Sequence, residues 1–266
     1  MKKSLFLPLF GLLTIFTFAQ EAESLYQKQY SKLGLVLEPS WLRPDNLYGN
    51  DNRSPYPSMD FKNALSYQFG VTWNFAQSGA FNFKTGIVAK EFSPIFDLNI
   101  KNSDVASGKK DYGLTDFNPF NQFAISIPLR TEYFFKVNPK INLVAGLGIS
   151  YNALTGSDKK IGATVSVTEG NSTTSIFRAE SGEYGKNIVS TELAFGVTFK
   201  SKFALFQVDY LLSTALIGEP LRGRYIFVNL NATPNTAGEF SASLSYQSFC
   251  LTISPKKGWL KQNSKK

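Results

Sequence analysis

The sequence predicts an all-β protein: a transmembrane antiparallel up-and-down barrel of eight strands, with short periplasmic turns and long extracellular loops. Three observations support this fold class. Apolar and polar residues alternate along eight long runs, and the connections between the runs are short and long in turn. In addition, no run of about 18 apolar residues is present that would form a transmembrane helix.

The eight runs cover residues 31–42, 65–75, 81–93, 122–136, 141–154, 187–199, 203–213 and 239–253. Strands of globular proteins average about 5–6 residues, whereas a tilted strand needs about 9–11 residues to cross a bilayer. In the last run the apolar residues change parity, and we expect a β-bulge near Gln247–Ser248 to keep them on one face. Residues 225–230, YIFVNL, are a candidate strand extension above the membrane.

The connections predict which end of the barrel faces which side. AQSGA, VNPK and KSK are short polar turns, while the other connections are longer than 20 residues and rich in Asn, Asp, Ser, Gly and Pro. Small residues crowd the polar face of the strands, as a narrow interior requires, so the apolar face is expected to contact lipid. A soluble, lipocalin-like barrel with its apolar face inward is the alternative. Aromatic residues gather near the short turns, as in an interfacial girdle: Phe75, Phe81, Phe83, Tyr133, Phe135, Phe199 and Phe203.

The chain begins with MKKSLFLPLFGLLTIFTFAQ, which has a short basic start, an apolar core and small residues before a cleavage point. We expect residues 1–19 to be a secretory signal peptide that is cut between Ala19 and Gln20. The alternative is a retained anchor, but Pro8 and Gly11 interrupt the short apolar run. Residues 20–30 then form a periplasmic lead-in or a plug, 31–253 the barrel, and 254–266 a basic periplasmic tail.

Composition argues against several functional classes. The chain has no histidine, one cysteine and a net charge of +8, part of which lies in the basic tail. No basic and aromatic cluster indicates nucleic-acid binding, and no calcium-loop spacing is present. We therefore expect no nucleic-acid partner, no cofactor, no metal site and no catalytic residue.

Seven ionisable residues fall on the polar, inward face of the predicted strands. An eight-stranded barrel has an interior that side chains fill, so these charges must be paired or hydrated. We expect them to form a structural polar network. A proton or ion path and a catalytic carboxylate pair are the alternatives. The seven residues are Glu38, Lys84, Lys90, Arg130, Glu132, Glu192 and Asp209.

Four segments resemble the small outer-membrane β-barrel domain family of Gram-negative bacteria, which includes PorT-like proteins that assist the type IX secretion system. They are FAQ at 18–20, IPLRTEYFF at 127–135, GLGISYNAL at 146–154 and SLSYQSF at 243–249. The resemblance extends over about residues 30–253 and contains no invariant site motif. It implies insertion by the barrel-assembly machinery and contact with outer-membrane lipid.

Enzymes with outer-membrane barrels resemble one another in using a histidine, which this chain lacks. We therefore expect a non-enzymatic protein with a structural, binding or accessory role through its extracellular loops. A PorT-like accessory component of a secretion system, which works with other envelope proteins, is the alternative. An enzyme acting on lipid is the third hypothesis.

Overall fold

The computed structural model describes residues 29–43, 46–49, 58–62, 64–92, 95–100, 112–117, 122–155, 162–169, 171–181, 187–218, 221–228, 236–242 and 245–257. Sixteen strands occupy these ranges. In chain order they are β1 Leu33–Arg43, β2 Asn46–Gly49, β3 Ser58–Lys62, β4 Ala64–Ser78, β5 Phe81–Phe92, β6 Ile95–Ile100, β7 Tyr112–Phe117, β8 Gln122–Lys136, β9 Ile141–Thr155, β10 Gly162–Glu169, β11 Ser172–Ser181, β12 Asn187–Lys200, β13 Ala204–Ile217, β14 Leu221–Phe227, β15 Thr236–Ala242 and β16 Ser245–Pro255.

Eight of the strands close into one antiparallel barrel, in the order β1-β16-β13-β12-β9-β8-β5-β4. Strand β1 closes the barrel because it pairs with β4 on one side and with β16 on the other. Along the chain from β1 to β16, each barrel strand pairs with the next barrel strand, as in an up-and-down barrel. The predicted fold class is confirmed. Within the described residues, no helix is long and apolar enough to span a membrane.

The barrel has its apolar side chains outside and its polar side chains inside. On β1 and β4, Leu37 and Phe69 are 55% and 62% exposed, whereas their neighbours Glu38 and Gln68 are 5% and 2% exposed. The same alternation runs along β8, where Ile125 and Ile127 are exposed on either side of the buried Ser126. An apolar outer wall is the surface that the hydrocarbon of a bilayer covers. The lipocalin-like alternative is therefore wrong, because its core would require the opposite arrangement.

The last predicted strand, 239–253, is two strands in two sheets. Residues up to Ala242 belong to β15, outside the barrel, and β16 begins at Ser245. The bulge expected near Gln247–Ser248 is wrong, since β13 and β16 pair in continuous register from Tyr246 to Pro255. Tyr246 points into the lumen and is 2% exposed. The change of parity thus marks the passage from one sheet to the other.

Short turns connect the strands at one end of the barrel, which we call the short-turn end. Gly79 has a φ of 56° in the turn after β4, a left-handed conformation that glycine adopts at little cost. Aromatic rings meet on the outer wall near this end. Phe81 contacts Tyr133 with ring centroids 4.9 Å apart, and Tyr133 contacts Phe135 at 4.5 Å. This arrangement agrees with the expected interfacial girdle.

The eight strands outside the barrel form two small sheets, which the sequence pattern did not predict except in part at 225–230. One sheet has the order β10-β11-β14-β15-β2, and we call it the loop sheet. The other has the order β3-β6-β7. Both lie in the long connections, so the end opposite the short turns carries folded structure.

Candidate functional site

The lumen holds all seven ionisable residues that the alternation places on the inward face, and each is at most 6% exposed. Successive residues of a strand point to opposite faces. Because the apolar residues of each strand face outward, these seven residues between them face the lumen. They come from β1, β5, β8, β12 and β13. These five strands therefore bring the seven residues together in one buried cluster, which we call the lumen network.

Arg130 connects the acids of the network. Its Nη2 donates a hydrogen bond of 2.8 Å to Glu192 Oε2. Its Nη1 lies 4.0 Å from Glu132 Oε1 and 3.9 Å from Asp209 Oδ2. One guanidinium thus faces three carboxylates from three strands, which is the geometry that its planar set of donors allows.

Glu132 is held from three directions. Lys84 forms an ion pair with it. Asn82 Nδ2 donates to Oε2 at 2.9 Å, and Gln207 Nε2 donates to Oε1 at 3.0 Å. Gln207 Nε2 also donates to Asp209 Oδ2 at 2.8 Å, so one amide links two carboxylates. A buried carboxylate needs such donors to offset the loss of its hydration.

A second part of the network lies around Tyr246. Lys90 Nζ donates to the Tyr246 hydroxyl at 2.5 Å and lies 4.6 Å from the centre of the Tyr246 ring. The Tyr246 hydroxyl donates to Glu192 Oε1 at 3.2 Å. Glu38 accepts a 2.6 Å hydrogen bond from Ser248 Oγ. Sequence reasoning missed Tyr246 because the expected bulge obscured its parity.

Two neutral members, Asn82 and Gln207, are also absent from the sequence-based set. Their parity was visible, since Asn82 precedes Lys84 by two residues and Gln207 precedes Asp209 by two. The predicted network contains ionisable residues alone, whereas the lumen network also includes these two neutral amides. An amide on the inward face of a charged lumen is a signal that would have found them.

The lumen is filled by the network and, at the short-turn end, by an apolar cluster. Within the network, a cavity of about 20 Å³ remains between Glu38, Lys84, Lys90, Arg130 and Glu192. That volume holds roughly one or two water molecules. At the short-turn end, Tyr30 packs with Phe134, Val144 and Leu205, all buried.

Tyr30 is held in the mouth of the barrel by its backbone and its side chain. It forms a β-bridge with Lys256. Its hydroxyl donates to the backbone oxygen of Ser201 at 3.3 Å. Tyr30, at the end of the predicted lead-in segment, therefore packs into the short-turn end of the lumen. Residues 20–28 of that segment and the expected cleavage point between Ala19 and Gln20 lie outside the described residues.

The loop sheet forms the second candidate surface. One of its faces is buried and includes the stacked rings of Phe177 and Tyr225, whose centroids are 6.3 Å apart. Burial raises the pKa of the Tyr225 hydroxyl. The opposite face holds an open groove of about 520 Å³, and its exposed lining residues include Arg178, Arg224, Ile226, Ala237 and Glu239.

Charges alternate across the exposed face of the loop sheet. Arg224 pairs in register with Glu180 of β11 and with Glu239 of β15. Arg224 Nε donates to Glu239 Oε1 at 3.3 Å, and Arg178 forms an ion pair with Glu180. These pairs are solvated, so each contributes little to stability, about 0–1 kcal/mol. Their importance lies in the pattern of charge that they present around Ile226.

The fold and its interior define the class of this protein, a transmembrane β-barrel of eight strands with a polar lumen filled by side chains. No protein-family model matches the chain, and no curated protein matches it. Within the part of the chain that the structure describes, no group of three or more His, Cys, Asp or Glu residues is arranged to hold a metal ion.

Solved structures of outer-membrane and surface proteins are similar to the chain at low identity. The outer membrane protein OprG from Pseudomonas aeruginosa is 11% identical, with 85% of this chain and 96% of that chain covered and a TM-score of 0.44. Neisserial surface protein A is 10% identical, with 85% and 97% covered and a TM-score of 0.40. The outer membrane protease OmpT from Escherichia coli is 9% identical, with 89% and 99% covered and a TM-score of 0.38. At these scores no role or site residue is transferred, and the barrel assignment stands on the strand pairing.

Proposed function

We propose that this protein is a non-enzymatic barrel of the Gram-negative outer membrane that acts as a binding or accessory protein through the loop sheet. The main support for this proposal is that side chains fill the lumen. Arg130 and its three carboxylates fill the lumen around a cavity of about 20 Å³, and Tyr30 packs into the short-turn end. A barrel with a filled lumen works through its surfaces, and the folded surface lies at the end with the long connections.

The outer membrane is the proposed location because the barrel has a lipid-compatible wall and the chain starts with a signal-peptide pattern. In this arrangement the short-turn end and both termini are periplasmic. The barrel-assembly machinery inserts the chain, and outer-membrane lipid covers the exposed belt. The loop sheet then faces the outside of the cell.

The loop sheet suits a binding role because its face is both exposed and organised. Backbone pairing holds Arg178, Arg224 and Glu239 at fixed register positions around Ile226. A patterned surface of charged groups around an apolar residue favours recognition of a partner with complementary charge. A loop that merely capped the barrel would not need this ordered pattern.

A PorT-like role in protein secretion is the second candidate. Two of the four segments that carry the family resemblance, 127–135 and 146–154, lie in the adjacent strands β8 and β9. They contribute Arg130 and Glu132 and the glycines that lie opposite them. In this role the partners are other envelope or secretion proteins.

The experiment that tests the proposed function is capture of partners from intact cells. Cells that express the tagged protein are treated with an impermeant cross-linker, solubilised and purified. Arg224→Glu with Ile226→Asp alters the loop sheet, and Lys140→Glu alters an exposed turn at the other end as the matched control. We expect the double variant to lose partners that the control retains.

Two outcomes would redirect the proposal. Copurification of secretion components by the wild type and by both variants would favour the PorT-like role. Turnover of phospholipid or lipid A by the purified protein would contradict the non-enzymatic role and favour an enzyme acting on lipid.

A further inference from the structure

Strand β10 is an edge of the loop sheet, and among the described strands it has β11 as its only partner. In an antiparallel pair, alternate residues direct their N–H and C=O groups away from the partner, so β10 offers about four such residues on its free side. A row of unpaired backbone groups is a template for pairing with another strand. We therefore expect a partner to cover the free side of β10.

The other free edges outside the barrel carry features that discourage pairing. Strand β2 has only four residues, β3 contains Asp60 and Lys62, and β7 contains Asp116. Strand β10, GATVSVTE, has eight residues, no proline and no charge before its last residue. Short edges and charged edges are common protections against edge pairing, and β10 has neither of them.

Strand β10 is also regular along its length. The register between β10 and β11 shifts between Val165 and Ser166, but the extra residue is Ile176 of β11. The alternation along β10 is therefore unbroken, with Thr164 and Ser166 exposed and Val165 half-buried between them. A bulge in β10 itself would have turned the edge away from a partner.

The sequence of β10 is complementary to itself. When two copies run antiparallel about a two-fold axis through Val165, Val165 lies opposite Val165 and Thr164 lies opposite Ser166. Around the axis, Ala163 then lies opposite Val167 and the two hydroxyl residues lie opposite each other, while Thr168 lies opposite Gly162. The single charged residue, Glu169, is at the end of the strand, far from its own copy.

We infer that β10 pairs with β10 of a second copy of this chain, so that two loop sheets join into one continuous sheet. This inference goes beyond the proposed binding role, because self-pairing through the edge can be present whether or not the face of the sheet binds another protein. The two copies lie in one membrane, which confines them to the same layer and favours their encounter.

Cysteine cross-linking in membranes tests the pairing. Val165→Cys and Ser166→Cys are made separately in a Cys250→Ser background, and Thr174→Cys on β11 is the matched control. We expect a disulfide-linked dimer with Val165→Cys, because the two-fold axis brings residue 165 next to its own copy, and none with Ser166→Cys, which lies opposite Thr164. Thr174→Cys, which is also exposed but one strand away, should remain monomeric.

Mass photometry of the full chain in nanodiscs supplies the second measurement. Thr164→Lys with Ser166→Lys places like charges across the axis and should weaken the dimer roughly tenfold or more. Thr174→Lys with Ala237→Lys adds the same charge to inner strands and should leave the dimer intact. A monomeric wild type, or a cross-link from residue 165 or 166 to a different polypeptide, would overturn the inference. Loss of partner capture alone would affect only the proposed function.

Discussion

Arg130 of β8 and Glu192 of β12 are joined by a 2.8 Å hydrogen bond that passes over β9, the strand between them. Gly148 of β9 is in register with both residues. Because glycine has no side chain, the arginine and the glutamate meet above it. The ion pair and the glycine are thus parts of one arrangement that draws three strands together.

We expect Arg130→Ala to destabilise the barrel strongly. The change leaves Glu192, Glu132 and Asp209 without their shared cation in a buried place, which costs roughly 3–5 kcal/mol for a fully buried pair. The control is Lys136→Ala, since Lys136 is exposed at the short-turn end of the same strand. Urea unfolding in lipid vesicles, followed by tryptophan fluorescence, measures both changes. Equal stability of the two variants would mean that water reaches and screens the network.

We expect Gly148→Ala to reduce stability more than Gly146→Ala. A Cβ at residue 148 would lie 2.6 Å from Leu129 O and 3.0 Å from Arg130 Cα, which are backbone atoms that cannot move aside cheaply. A Cβ at residue 146 would meet its nearest neighbours at 3.3–3.4 Å, where a small adjustment suffices. Overpacking of the first kind costs roughly 1–3 kcal/mol. The same urea titration compares the pair, and a larger loss for Gly146→Ala would contradict the placement of the ion pair over Gly148.

We expect the purified barrel to show no steady porin-like conductance. The network around Arg130 fills the lumen, and Tyr30 packs with Phe134 at the short-turn end. Removal of one barrier alone, by Tyr30→Ala, should therefore leave the barrel closed. Planar-bilayer recording measures both proteins. A reproducible nanosiemens-scale conductance in the wild type would show that the lumen is open.

The barrel was predictable from the sequence, while most of the loop sheet was not. In a strand such as 141–154, one face points into the polar lumen and the other faces lipid. Polar and apolar residues therefore alternate strongly along it, whichever strands it pairs with. Strand β10 alternates alanine and valine with threonine and serine, a contrast too weak to separate a strand from a polar loop. Strand β15 was predicted as part of the barrel because Phe240 and Ala242 continue the alternation of the residues that follow.

The membership of the lumen was predictable, but its pairs were not. Parity alone places Glu38 and Glu132 inside the barrel. The contacts between these side chains depend on how the strands are staggered around the barrel. The sequence of a single strand does not determine that stagger. Ser248 reaches Glu38 across 210 positions of the chain, and Gln207 reaches Glu132 across 75.

We expect the loop sheet to face the outside of the cell and the short turns to face the periplasm. Thr174 and Ala237 are exposed on the loop sheet, and Asn138 is exposed in the turn between β8 and β9. Single cysteines at these three positions, in a Cys250→Ser background, are treated on intact cells with a maleimide that cannot cross the membrane. Cys250 is buried, so its replacement removes background without changing the surface.

Positions 174 and 237 should react in intact cells, because long connections of such barrels face outward. Position 138 should react only after the outer membrane is permeabilised, which also shows that its thiol is accessible. Heat-modifiable migration of each variant on a gel confirms that the barrel is folded, since a closed barrel has no free edge at which detergent unfolding can begin. Reaction at position 138 in intact cells, without reaction at 174 and 237, would invert the topology and place the loop sheet in the periplasm.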